Sequence, residues 1–244
     1  MIDIILDIYV RTFVVLLSAT ATALVARYAA KAGLTRSRVI GSALFTAFPL
    51  GLWSAAAAQI AATGALAPPA TVADPPYVLM ILAGGALSLF ALARLTATGR
   101  AIIGAMGQEV LIGFQAFRVI GGLFLIGWAF GAIPWQFALP AGLGDIWAGI
   151  AAYQAMRAVN LGHPDARAKV IRANVIGLAD FGLAVAMGVT TSDGLFHLFA
   201  KDAPNIINDY PLGLFPAFFV PLFITLHLLS IGKLRAARRE ALAA

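Results

Sequence analysis

Apolar residues run through this chain in blocks, with short polar connections between them. Seven stretches, roughly 5–26, 39–63, 77–97, 108–130, 138–156, 172–190 and 211–231, are nearly free of charge. Blocks of about 20 apolar residues match the length an α-helix needs to cross a bilayer core. A membrane β-barrel would alternate over segments of about ten residues instead, and no such alternation is visible. The pattern predicts an all-α polytopic membrane protein, a seven-transmembrane-helix bundle forming a single domain over residues 1–244.

The connections carry a second pattern. Segments 27–38, 94–107 and 157–172 and the tail after 231 hold 14 of the 17 lysines and arginines. Segments 64–76 and 131–137 hold none, and 191–210 holds only Lys201 against Asp193, Asp202 and Asp209. Arg11 lies at the start of the first span and Arg118 inside the fourth. Basic connections stay in the cytoplasm, so the N-terminus is expected outside and the C-terminus inside, as an odd number of spans requires. The expected location is the inner (plasma) membrane, multi-pass, with the lipid bilayer as first partner.

Composition narrows the classes further. The chain is 61% hydrophobic and 11% charged, whereas soluble domains are nearer 25% charged. The net charge of +6 does not mean nucleic acid, because the basic residues lie in loops between apolar spans and form no soluble basic face. Cysteine is absent, which removes disulfides, thiolate chemistry and Cys-ligated metals. Acidic Asp3 and Asp7 precede the first apolar run and basic Arg27 and Lys31 follow it, so a cleaved signal peptide is not expected. The prolines at 68, 69, 75 and 76 predict a stiff, extended 64–76 loop, and Leu195–Phe199 reads as a short interfacial stretch. No internal repeat is found.

Chemistry is expected where charge sits inside the spans: Arg118, Asp145 and Asp180. An ionised group at the bilayer centre costs from about 2.5 to more than 10 kcal/mol, so it is paired, hydrated or functional. At the helical rise, Arg118 lies about 14 Å from the cytoplasmic end of its span, Asp145 about 10 Å from the outer end, and Asp180 about 12 Å from the cytoplasmic end. All three fall in one slab near the midplane and can meet. Gln108, Gln115, Arg118 and Gly122 follow i, i+7, i+10, i+14 spacing and share a face, which should turn toward the bundle. Gly142, Asp145, Gly149 and Ala152 form a small-residue face that lets helices approach. Two readings stay open. The charges either fix helix register as a buried pair, or line a polar pocket where one carboxylate neutralises Arg118 and the other takes a proton or cation.

The last span adds Pro211, Pro216 and Pro221, of which the latter two should bend the helix. Pro216, Val220, Phe223 and His227 share one of its faces. His227 can bond a carbonyl or headgroup, or relay protons, and Asn174 can bond between helices or contact a ligand. His197 and His227 belong to opposite sides, so they cannot share a haem. HExxH and GxSxG motifs are missing, and the last span has no lysine for a retinal Schiff base. Gly142–Leu143–Gly144–Asp145 resembles the GxGD element of intramembrane aspartyl proteases, but the partner carboxylate would follow it, the Pro-Ala-Leu element is missing, and Arg118 would suppress a shared proton. No cofactor is expected.

Three segments carry a family resemblance: Asp202–Leu234, "DAPNIINDYPLGLFPAFFVPLFITLHLLSIGKL"; Phe114–Leu125, "FQAFRVIGGLFL"; and Ala141–Gly149, "AGLGDIWAG". They resemble an uncharacterised family of bacterial integral membrane proteins. The resemblance implies a seven-span inner-membrane protein and carries no activity with it. The expected function is a small permease or ion- or proton-coupled transporter with a midplane polar site built from Arg118, Asp145, Asp180, Gln115, Asn174 and His227. Its ligand would be a small molecule or ion. The alternative is a non-transporting sensor or accessory subunit acting through a membrane protein partner, with an intramembrane enzyme as the least favoured class.

Overall fold

The computed structural model describes residues 1–243, and all regular structure among them is helical. Eight helices follow in order: α1 (Ile2–Lys31), α2 (Arg36–Ala62), α3 (Tyr77–Leu95), α4 (Ala97–Ala105), α5 (Gln108–Ala129), α6 (Trp135–Asn160), α7 (Ala166–Thr191) and α8 (Phe215–Ala243). Six of them (α1, α2, α3, α5, α7 and α8) are long and apolar enough to cross a membrane. The 26-residue α6 is as long but less apolar. Large apolar side chains coat the outside, among them Ile8, Val15, Phe48, Leu87 and Trp147. Water would not tolerate such a coat as a contiguous surface, whereas lipid would.

α8 runs through the middle of the bundle. It packs chiefly on α3, and its buried Phe218 meets Trp53 of α2 while Phe223 meets Phe114 of α5 and Phe181 of α7. α6 packs chiefly on α7 and on the middle of α5, and small residues make this close fit. Ala148, Ala151, Ala152 and Ala155 of α6 are buried, while Leu143, Trp147 and Ile150 point outward.

Tethers gather the connections at two ends. At one, the Tyr210 hydroxyl donates to Asp7, and Leu195 N donates to the Pro69 carbonyl at 2.8 Å. At the other, Lys233 donates to carbonyls of Ile103, Gly104 and Met106, and Arg167 to Leu234 at 3.4 Å.

Three local expectations are corrected. Segment 94–107 is not a plain loop, because Thr96 caps Gly99 N at 3.0 Å and starts the short helix α4. Segment 64–76 is folded into turns, not extended: Ala67 N bonds Gly64 O at 3.0 Å, and Asp74 holds Thr71. At Leu195–Phe199 the apolar side chains Leu195, Phe196, Leu198 and Phe199 are exposed, and Leu198 and Phe199 donate to Thr190 O and fold the segment back on α7. Pro216 lies in the first turn of α8, where a missing N–H costs nothing. Pro221 follows a π-helical turn, Phe215–Phe219. The wider turn gives its ring room against the preceding carbonyls.

Candidate functional site

The centre of α5 is not α-helical. Phe114–Gly121 winds as a 3₁₀ helix, with three residues per turn. Residues three apart then eclipse, so Gln115 and Arg118 stack on one inward face. Both are fully buried. Gln115 Nε2 donates to Phe223 O of α8 at 2.9 Å. The Arg118 guanidinium reaches across to α6 and α7.

Every side of that guanidinium is occupied. Asp145 Oδ1 lies 2.8 Å from both Nε and Nη2. Nη1 donates to Gly177 O at 2.8 Å, and Nη2 also donates to Asp180 Oδ2. The Phe181 ring covers the plane, its centroid 3.7 Å from Cζ, a stacked cation–π contact. One nitrogen thus sits on both carboxylates and holds them side by side.

Three glycines make the approach possible. A Cβ at Gly144 would run into Asp180 Oδ1, and one at Gly121 into the Asp145 carboxylate, 2.6 Å from its Cγ. At Gly177 it would lie 2.8 Å from Arg118 Nη1 and collide with His227. The backbone at these positions therefore serves as the wall of the charge centre. Gly122, by contrast, has only Ile146 Cδ1 nearby, at 3.7 Å.

From this centre a buried polar ladder runs toward the end that carries α4 and the tail of α8. His227 Nδ1 pairs with Asn174 Oδ1 at 2.9 Å. Asn174 Nδ2 donates to Ser230 Oγ at 2.9 Å, and Gln108 Nε2 reaches the same hydroxyl. His227 Nε2 makes no hydrogen bond and faces Gly177 beside Arg118. The ladder joins α5, α7 and α8.

Toward the opposite end the centre meets open space. A cavity of about 400 Å³ is bounded by the 68–76 turns, the 195–208 segment and helices α3, α5, α6, α7 and α8. Asp145 is the charged residue at its inner limit, with its side chain 13% exposed. Phe124, Phe137, Phe181 and Phe215 also line it, as do Pro216 and Val220. One face of α8 thus lines the cavity with Pro216 and Val220 and continues into the ladder through Phe223 and His227.

The profile of a family described as Domain of unknown function (DUF8737) matches residues 75–235. The chain belongs to that family. The matched part holds α3 to α7 and most of α8, and so the whole charge centre and ladder. No curated protein and no solved structure shows a significant match.

All six residues singled out from the sequence lie in this one region, in a bonded trio, a ladder pair and a separate brace. Arg118, Asp145 and Asp180 bond directly, while Gln115 braces α5 on α8, and Asn174 and His227 belong to the ladder. Ser230, Phe181 and the glycines at 121, 144 and 177 were not singled out as site residues. Ser230 had a signal, three residues after His227 on one helical face.

Proposed function

We propose that this is a small permease of the inner membrane in which a proton and a cation exchange at the Arg118–Asp145–Asp180 centre. Seven spans are part of the proposal, with α6 as the fifth span. Its 26 residues reach about 39 Å, more than a core of about 30 Å, and Leu143, Trp147 and Ile150 offer it a lipid face. The basic connections then lie in the cytoplasm, and the cavity opens outward. The chain has no cysteine, so single cysteines report topology directly. An impermeant maleimide on intact cells should label Val72→Cys, and Arg100→Cys only after lysis. The reverse pattern would invert the orientation.

The observation that carries the function is Asp145. Its carboxylate grips a fully buried guanidinium on one side and borders a cavity on the other. Arg118 has no exposed surface, which supports a counter-ion role and disfavours an anion receptor. One guanidinium balances one carboxylate. The second must be neutralised by a proton or a cation, and occupancy by one excludes the other. That exclusion is the simplest basis for exchange. A larger cavity of about 910 Å³ at the basic-connection end is lined by none of the three charged residues. Of these two cavities the centre therefore borders the outer one, which supports an arrangement for alternating access. The test is cation-driven proton movement in proteoliposomes, expected from the wild type and lost in Asp145→Asn.

A sensor or accessory role is the second reading, favoured by Arg235, Arg238 and Arg239 exposed on the projecting end of α8. Co-purification of a stoichiometric membrane partner through that end, without any flux, would select it. For an intramembrane protease the carboxylates are close enough, but Arg118 donates to both, and a shared-proton dyad needs them free of such a partner.

A further inference from the structure

We infer that the ligand of the outer cavity is a monovalent organic cation with an apolar body, an amine or quaternary ammonium, held at Asp145 against aromatic rings. This rests on the cation-exchange reading above and adds the substrate class. The first observation is the sign of the reachable charge. Arg118 is enclosed by its partners, so the charged group left to meet a ligand at the inner limit is Asp145. Its Oδ1 is taken by Arg118, whereas Oδ2 lies beside Gly121. No lysine, arginine or histidine lines the cavity among the described residues, and the rim adds a second carboxylate, Asp74. An anion would meet two carboxylates and no cationic side chain.

The second observation is the wall. Apart from Asp145 it offers polar side chains only at Thr71, Asp74 and Asn208, and Asp74 Oδ2 already accepts from Thr71 N and Oγ1 at 2.8 and 2.9 Å. A hard inorganic cation seeks about six oxygens, and this wall does not supply them. It supplies rings instead. Phe124 packs on Phe137 and on Phe215 with centroids 5.1 and 4.5 Å apart. Ring faces attract organic ammonium groups, and apolar walls with one placed charge are the usual build of a small-molecule site. The volume of about 400 Å³ suits a body of one ring with a short substituted amine. Gly188 also lines the cavity, and a Cβ there would sit 3.8 Å from Phe137 and 3.9 Å from Ile207, in ordinary contact. A larger side chain at 188 can therefore fill the space without disturbing the charges.

The experiment is titration calorimetry on the full chain in mild detergent with benzyltrimethylammonium, its neutral isostere neopentylbenzene, and sodium chloride. Saturable binding of benzyltrimethylammonium is expected, weakened at least tenfold in both Asp145→Asn and Gly188→Leu, with neopentylbenzene at least tenfold weaker. Gly188→Leu leaves the charge centre intact, so the site stays testable even where Asp145→Asn fails to fold. Absence of benzyltrimethylammonium binding to folded wild type overturns the inference, as does equal binding of the isostere or unchanged binding in Gly188→Leu. The two readings fail separately. Binding without proton movement in proteoliposomes overturns the permease and leaves the ligand class standing. Sodium-driven proton movement without organic-cation binding overturns the ligand class alone.

Discussion

Arg118 has no surface left for solvent: two carboxylates, a backbone carbonyl and an aromatic ring enclose it. Such a group is stable only with its partners, because removing one member leaves the others charged in a low-dielectric interior. Arg118→Ala should therefore lose about 3–5 kcal/mol, read by denaturant unfolding in detergent. Unchanged stability would mean that the carboxylates do not depend on it. The glycines give a sharper contrast. Gly144→Ala puts a methyl into Asp180, while Gly122→Ala meets only ordinary contact. The first should cost about 1–3 kcal/mol as overpacking, and the second should not destabilise a helix whose neighbour it meets only at ordinary van der Waals distance. Equal melting temperatures for both variants would contradict this geometry.

At the scale of elements, the 3₁₀ winding of α5 and the ladder between α7 and α8 hold the centre in place. Asn174 is the link whose loss strands most, since His227 and Ser230 both bond to it. Asn174→Ala should cost about 1–3 kcal/mol for the groups left unpaired, measured by the same unfolding assay. A neutral result would show that the ladder is filled by other donors. Much of this was legible in advance. Charges at similar depth on three expected spans could meet, and the stripe of Gln108, Gln115 and Arg118 was expected to face inward. The 3₁₀ turn was not legible, because Phe114–Gly121 contains no proline and its one glycine, at the end, permits either winding. The roles of Gly121, Gly144 and Gly177 were hidden for a related reason. A glycine shows in sequence only what it lacks, and which side chain uses the space depends on the packing of another helix. Helix α4 lay unread in a connection that was too short and polar to be a span.

For the whole molecule, the informative feature is its asymmetry along the bundle. One end of the charge centre meets an aromatic cavity and the other a packed polar ladder. The alternation of basic and non-basic connections predicted which loops would gather together. The ties of Asp7 to Tyr210 and of Lys233 to Gly104 agree with that grouping. The cavity itself could not be foreseen, since it depends on how the 68–76 turns and the 195–208 segment fold over the helices. The most direct measurement follows from the asymmetry. Pyranine-loaded proteoliposomes with an acidic lumen would receive benzyltrimethylammonium or sodium outside, using wild type, Asp145→Asn and Gly188→Leu. Cation–proton exchange at Asp145 predicts a cation-dependent rise of internal pH with wild type, absent in Asp145→Asn, and in Gly188→Leu absent for the organic cation. A wild-type response no greater than that of empty vesicles, or an equal response from Asp145→Asn, would contradict cation–proton exchange at this centre.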